Sequence, residues 1–349
     1  MPMYDRILLI KTGALGDVLR TTSILPGLKA LEGVGSIVWL TSPQAEPLVR
    51  EHPLVDEVRI WDGDPEGVGF YVANLGSTGS EWILSLDDEL GPCRLATRLQ
   101  AYSGSRLSGA YEDESGELAY TDDVEAWFGM GLLSRCGKPE ADKRKRANEL
   151  THGQIFAEML GIEDSKPSLV LSEPLVEEAR EGLGGTGVLI GLNTGAGGRW
   201  PSKGLSVERS VELAGLLHAA LGTGVRFVVL GGVLEADRNR RMLELLSAEE
   251  GLVVLDGGTD NGLLEFAAQV ACCDVLVSSD SLALHMGVAL ERPVVAFFAP
   301  TSGAEVDLFG RGRSIRSTSS DYCSYRPDAD NSSITPERLC TAVLELLNE

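Results

Sequence analysis

Four short stretches hold residues whose types and spacing could do chemistry. In "IKTGALGDVLR", Gly13 and Gly16 follow an apolar run, and Asp17 opens a helical pattern. A carboxylate there can cap the helix, a contact worth about 1 kcal/mol, or act as a general base at the rim of a cleft. In "NTGAGGRWPSKG", Gly195, Gly197 and Gly198 precede Arg199 and Lys203, with a helix to follow. Glycine costs roughly 0.5–1 kcal/mol in a regular element, so such a cluster marks backbone that must stay bare or turn sharply. Bare amides, a lysine and a helix N-terminus are the parts of a phosphate cradle. In "VVLGGVLEADRNRRM", Glu235 follows Gly231 and Gly232 at a helix start. There it suits either the vicinal hydroxyls of a ribose or the positive end of the helix. In "VSSDSLALHMG", Asp280 and Ser281 close a strand and His285 sits in the next helix. The Ser281 hydroxyl and nearby amides suit a second phosphate; His285 also reads as a core histidine bonded to backbone.

These stretches need a scaffold that gathers turns at one edge. Short apolar runs alternate with helical patterns along the chain, as in βαβ units with parallel sheets. In the first half the strands are "RILLI" (Arg6–Ile10), "GSIVWLTS", a third before Asp62 and "EWILSLDDE", with a helix over Asp17–Glu32. The region Tyr102–Leu150 reads as loops and short elements covering one end of that sheet. After a junction at Ile162–Gly187 the alternation restarts with "VLIGLNT" and ends in a helix over Pro336–Leu347. The organisation expected is an N-terminal domain 1–165, a C-terminal domain 186–330, and a terminal helical segment 331–349, able to pack back on the first domain. Ligands of such doubly wound sheets bind beyond the carboxyl ends of the strands, where all four stretches fall.

Composition narrows the partners. With 52 acidic residues against 30 basic ones the formal net charge is −22, which repels nucleic acid phosphates. The basic run Lys143–Arg146 reads as a solvated helix face. The six cysteines form no CxxC pair, and no stretch approaches the length of a membrane span, so a cytoplasmic protein with reduced thiols is expected. Neither a P-loop nor a GxGxxG fingerprint stands at these strand-to-helix turns, which weighs against a dinucleotide oxidoreductase. No His/Cys/Asp cluster has metal-ligand spacing.

Three longer segments resemble the heptosyltransferase-type glycosyltransferases of family 9. "ILLIKTGALGDVLRTTSILPGLK" is similar to that family's opening motif, "LNTGAGGRWPSKGLSVERSVELA" to its phosphate-binding loop, and "DSLALHMGVALERPVVAFFAPTSGAEVDLFG" to its donor-site signature. The resemblance implies an α/β GT-B fold, two Rossmann-like doubly wound parallel-sheet domains facing a central cleft. The acceptor would lie on the first domain and a nucleotide sugar on the second. It implies inversion at the anomeric carbon without metal or cofactor, with Asp17 as catalytic base. Lys203, with Thr194, Gly195 and Gly197, would hold the donor phosphates, and Asp280, Ser281 and His285 would surround diphosphate and sugar. Glu235 would meet the ribose and Asn261 the base. Lys11, Arg20 and Arg98 would face the acceptor, with Arg94 and Arg106 adding to a local basic face. The implied donor is ADP-heptose and the acceptor a lipopolysaccharide inner core or related glycan. The implied location is the cytoplasm, or peripherally the inner face of the cell membrane.

Two positions depart from the family pattern. Leu282 stands where classic members have glycine, and Ala329 where a second cysteine would follow Cys323. The alternatives are another nucleotide sugar or acceptor on the same fold, or a nucleotide-diphosphate-binding protein without transferase activity.

Overall fold

The computed structural model of the chain describes residues 4–63, 81–198 and 200–349. It divides into two compact units, Met1–Leu169 and Val170–Glu349. In the first, β1 (Arg6–Ile10), β2 (Ser36–Thr41), β3 (Glu57–Ile60), β4 (Glu81–Ser85), β5 (Arg106–Glu112) and β6 (Leu118–Tyr120) form one sheet in the order β3-β2-β1-β4-β5-β6. Every neighbouring pair is parallel except β5–β6. β1 lies between β2 and β4, with Leu8 opposite both Val38 and Ile83, and Ile7 to Ile10 are fully buried. A central parallel strand is covered on both faces, which is why it reads as an unbroken apolar run.

Around this sheet lie α1 (Leu15–Thr21), α2 (Leu25–Lys29), α3 (Leu90–Ser103), α4 (Glu125–Phe128), α5 (Lys138–Ala147) and α6 (His152–Leu160). The single helix expected over 17–32 is broken by a 3-10 turn at Thr22–Ile24. Pro26, at the start of α2, has no amide to continue the helical ladder. The stretch 102–150 is also more regular than expected, since β5 is a full member of the parallel sheet. The basic run lies on α5, where Lys143 pairs with Glu140, and Arg144 with Glu125 and Glu140.

In the second unit, β7 (Val188–Asn193), β8 (Val225–Val229), β9 (Val253–Asp256), β10 (Val275–Ser279), β11 (Val294–Phe298) and β12 (Gly312–Arg316) form an all-parallel sheet, β12-β11-β10-β7-β8-β9. Its helices are α7 (Glu173–Leu183), α8 (Val207–Leu221), α9 (Ala236–Ala248), α10 (Leu263–Cys272), α11 (Leu282–Ala289) and α12 (Pro336–Leu347). α8 starts at Ser206, whose hydroxyl accepts the Arg209 amide, and it buries Leu213, Ala214 and Leu217 against Ile190, Val277 and Phe297. α7 packs on α10, so it belongs with this unit rather than with a linker. The terminal helix α12, for which packing on the first domain was one expectation, places Leu339, Ala342 and Val343 in the core of this second unit beside α8.

Candidate functional site

The first turn of interest leaves β1 between two tethered neighbours. Trp39 Nε1 donates to the Lys11 carbonyl at 3.1 Å, and Ser42 Oγ to the Thr12 carbonyl at 2.7 Å. From the β4 side, Asp87 Oδ1 takes Lys11 Nζ at 2.8 Å, while Asp87 Oδ2 takes the Thr12 amide at 2.6 Å and the Thr12 hydroxyl at 2.7 Å. Burial alone would lower the Lys11 pKa; Asp87, and more weakly Asp17, outweigh it and hold it raised. Lys11 is 8% exposed and engaged with Asp87. The residue expected at the acceptor therefore lies beneath the turn as a structural cation.

Asp17 sits in the first turn of α1, where Ala14 holds the cap position, so it is not the N-cap. Its carboxylate lies 2.9 Å from Arg20 Nη2, with the Asp17 side chain 39% exposed. Arg20 in turn stands over the Trp127 ring at 5.0 Å. Asp17 and Arg20 are thus brought together as an ion pair. Arg98 is exposed on α3, whereas Arg94 is forked onto Glu112 and Arg106 is paired with Asp123. The basic face expected from these arginines is largely neutralised within the domain.

In the second unit the chain leaves β7 at Asn193 and loops from Thr194 to Leu205. The loop closes on itself through Leu205 N–H to the Thr194 carbonyl at 2.9 Å. Gly197 has φ +63°, and a Cβ on Gly195 would meet Glu235 Cγ at 2.6 Å, so both need glycine. The Glu235 carboxylate bridges two glycine turns, accepting the Gly197 amide through Oε1 and the Gly232 amide at 2.9 Å through Oε2. The Gly197 amide expected to be bare thus already has an internal anion. Arg199 lies outside the described residues.

Lys203 reaches from this loop to the end of β10. Its ammonium lies 2.9 Å from Asp280 Oδ2 and 3.0 Å from the Asp280 carbonyl oxygen. His285 Nε2 is 4.0 Å from Asp280 Oδ1. Burial would raise the Asp280 pKa, but the Lys203 charge, then His285, with the hydrogen bond from Lys203, bring it below the usual carboxylate range. Ser281 occupies the cap position of α11, and its hydroxyl accepts Asn193 Nδ2 at 2.9 Å. His285 is therefore held beside a carboxylate at the strand ends rather than in an apolar core. Asn261 lies on the loop after β9, its Nδ2 donating to the Gly257 carbonyl at 2.8 Å.

Sequence reasoning missed Asp87, Asn193 and Arg238 as parts of these turns. Asp87 had a signal, an acid directly beyond an apolar strand. Arg238 had none, since it shares its helix with Arg240 and Arg241. Among the described residues no three His, Cys, Asp or Glu side chains are grouped as a metal ion would require. No helix among them is long and apolar enough to cross a membrane.

Residues 142–328, more than half of the chain, match the family described as glycosyltransferase family 9 (heptosyltransferase). The chain belongs to glycosyltransferase family 9. It is 23% identical to lipopolysaccharide heptosyltransferase 2 of Salmonella typhimurium over 99% of both chains. It is 22% identical to a glycosyltransferase of Haemophilus influenzae over 84% of this chain and 82% of the other. Among solved structures, a family 9 glycosyltransferase from Veillonella parvula superposes with TM-score 0.75 at 18% identity, covering 99% of this chain and 98% of that one. The Escherichia coli ADP-heptose lipopolysaccharide heptosyltransferase II gives TM-score 0.66 at 20% identity, covering 98% of each. This family 9 glycosyltransferase accordingly has the GT-B fold, with a Rossmann-like parallel sheet in each unit.

Proposed function

We propose that this family 9 enzyme moves a heptose from ADP-heptose to a lipopolysaccharide inner-core or related glycan acceptor, inverting the anomeric centre without a metal. The observation that carries the reading is the Lys203–Asp280–His285 group at the ends of β7 and β10, next to a glycine loop. A fixed ammonium, backbone amides and the start of α11 are suited to the charge that grows on a departing diphosphate. In this reading Thr194, Gly195, Gly197, Lys203, Asp280, Ser281 and His285 receive the diphosphate and sugar, Glu235 the ribose side and Asn261 the base.

Asp17 is the general base. An acceptor hydroxyl is a poor nucleophile, and a carboxylate that takes its proton as the bond to C1 forms gains roughly 10²–10⁴-fold. Arg20 fixes that carboxylate through one oxygen. Asp87, through Lys11 and Thr12, fixes the turn that carries it. A single displacement by the acceptor oxygen, with the nucleoside diphosphate leaving, inverts the configuration. Of the three cations expected at the acceptor, Arg98 is the exposed one and the one this reading leaves for it. The similarity to heptosyltransferases across the full length supports the heptose and the lipopolysaccharide acceptor, and the acceptor's nature would place the enzyme at the inner face of the membrane.

The test is thermal unfolding with ADP, UDP, GDP, CDP and NAD, followed by turnover with ADP-heptose. A ligand at about 100 times its Kd adds roughly 2.7 kcal/mol of stability. ADP is expected to give the largest shift. A larger shift with UDP or GDP would change the donor, and a response to NAD alone would overturn the transferase reading.

A further inference from the structure

The Thr194–Leu205 loop is held from α9 at two levels. Near its tip Gly197 is bonded to Glu235. At its neck stands Arg238, one helical turn further on. Arg238 Nη2 donates to Thr194 Oγ1 at 2.7 Å, to the Leu205 carbonyl at 3.1 Å and to Ser210 Oγ at 3.2 Å; Nη1 reaches Asn239 Oδ1 at 3.2 Å. Thr194 and Leu205 are the two ends of the loop, so one guanidinium spans the neck that their backbone bond closes. Thr194 Oγ1 also meets Ser210 Oγ at 2.8 Å, tying the same neck to α8. Asn239, beside Arg238, is anchored by its own bond to the Leu230 carbonyl at 3.1 Å.

All four of these partners are neutral. A guanidinium hydrogen-bonded only to neutral acceptors is not tied into a direct ion pair, so its charge is open to a further anion. Burial lowers its pKa, while the Glu235 and Glu208 charges oppose that shift in part. Arg238 also lines a depression of about 330 Å³ together with Gly195, Gly197, Ser206 and Glu235. The geometry is thus a closed loop, with a cation at its neck and Gly197 held by Glu235 near its tip.

We propose that Arg238 is a positioning residue for the donor's diphosphate, holding the neck of the Thr194–Leu205 loop and adding its charge beneath it. The proposal rests on the reading of this loop as the donor-phosphate site. Arginine suits the place because Nη2 meets Thr194 Oγ1 and the Leu205 carbonyl while Nη1 reaches Asn239 Oδ1, a spread over two nitrogens that the single nitrogen of a lysine lacks. Its action is on binding, since nothing places it at the anomeric carbon.

The experiment is calorimetric titration of the full chain with ADP, inorganic pyrophosphate and adenosine, for wild type, Arg238→Gln, Arg238→Lys and Thr194→Val. Hydrogen bonds to a charged group are worth enough that Arg238→Gln should weaken ADP by about ten- to a hundredfold. Pyrophosphate should weaken in parallel, while adenosine is unchanged. Arg238→Lys should recover part of the loss, and Thr194→Val should show the same pattern in smaller measure. In turnover with ADP-heptose, the donor KM should rise in all three variants with kcat retained. Equal losses for adenosine and ADP, or a folded Arg238→Gln that binds ADP like wild type, would overturn the proposal alone. A wild type that binds neither ADP nor pyrophosphate would overturn the donor-site reading and the proposal with it.

Discussion

Lys203 is bound twice by one residue, its ammonium resting on both the side-chain and the main-chain oxygen of Asp280. That double contact draws a loop that begins at β7 to the end of β10. Replacing Lys203 with Ala leaves a mostly buried carboxylate without its nearest cation, so two effects are expected together. Nucleoside diphosphate affinity should fall about tenfold or more, and the unfolding midpoint should drop. Adding Asp280→Ala should restore part of the midpoint but none of the affinity, a non-additivity that a double-mutant cycle measures. Restoration of both would mean that Lys203 is structural.

Asp17→Asn keeps the shape of the side chain and removes its basicity. Turnover should fall by roughly 10²–10⁴-fold, with nucleotide binding and the unfolding midpoint near wild type. Turnover within a fewfold of wild type would remove Asp17 from the chemistry.

Asp87→Asn should damage the fold of the first domain. It leaves the Lys11 ammonium, 8% exposed, without its nearest counter-charge. Removing one partner of a buried pair typically costs about 3–5 kcal/mol, a loss that urea unfolding resolves. The combined change Lys11→Met with Asp87→Leu should recover most of it; if it does not, the bonds to Thr12 dominate instead.

Glu235 joins Gly197 and Gly232, and its replacement should be graded. Glu235→Gln retains one acceptor oxygen and Glu235→Ala neither, so denaturant midpoints should rank Glu above Gln above Ala. The span should be about 1–2 kcal/mol, as expected for bonds to a partly exposed charge. Equal midpoints for Gln and Ala would show that only the charge matters.

His52 gives the first domain a pH dependence. It is 5% exposed; Nδ1 accepts the Leu54 amide at 3.2 Å, and Nε2 meets Ser168 Oγ at 2.8 Å. Burial lowers its pKa. The unfolded chain therefore takes up this proton near pH 6.5, before the folded one does. Stability is full above that pH and is lost as pH falls toward the folded value. Urea midpoints for wild type and His52→Gln, taken from pH 8 to 5, should converge as pH falls. Parallel curves would assign the dependence elsewhere.

The parts of this molecule legible in the sequence are those where one local rule acts alone. β1, β4, β7 and β10 are buried on both faces and show as apolar runs. α12 spans the range its pattern predicts, because Thr335 and Pro336 start it. β12, with its exposed "GRSIR" pattern at a sheet edge, carries no apolar run to notice, and β6 has only three residues. The glycine turns were visible because glycine clusters are rare. What occupies them was not. That Glu235 bonds Gly197, that Lys11 lies under its turn instead of facing outward, and that Arg238 rather than Arg240 or Arg241 meets Thr194 all depend on strands distant in sequence arriving side by side.

The closed neck of the Thr194–Leu205 loop separates two kinds of change. Leu205, Thr194 and Arg238 fasten its base, so the ends of the loop are fixed independently of the residues at its tip. Ala196 and Gly198 can then be substituted without refolding the sheet beneath, while Gly197 keeps its left-handed turn. Changes at the tip and changes to the fold are thus separable in this loop.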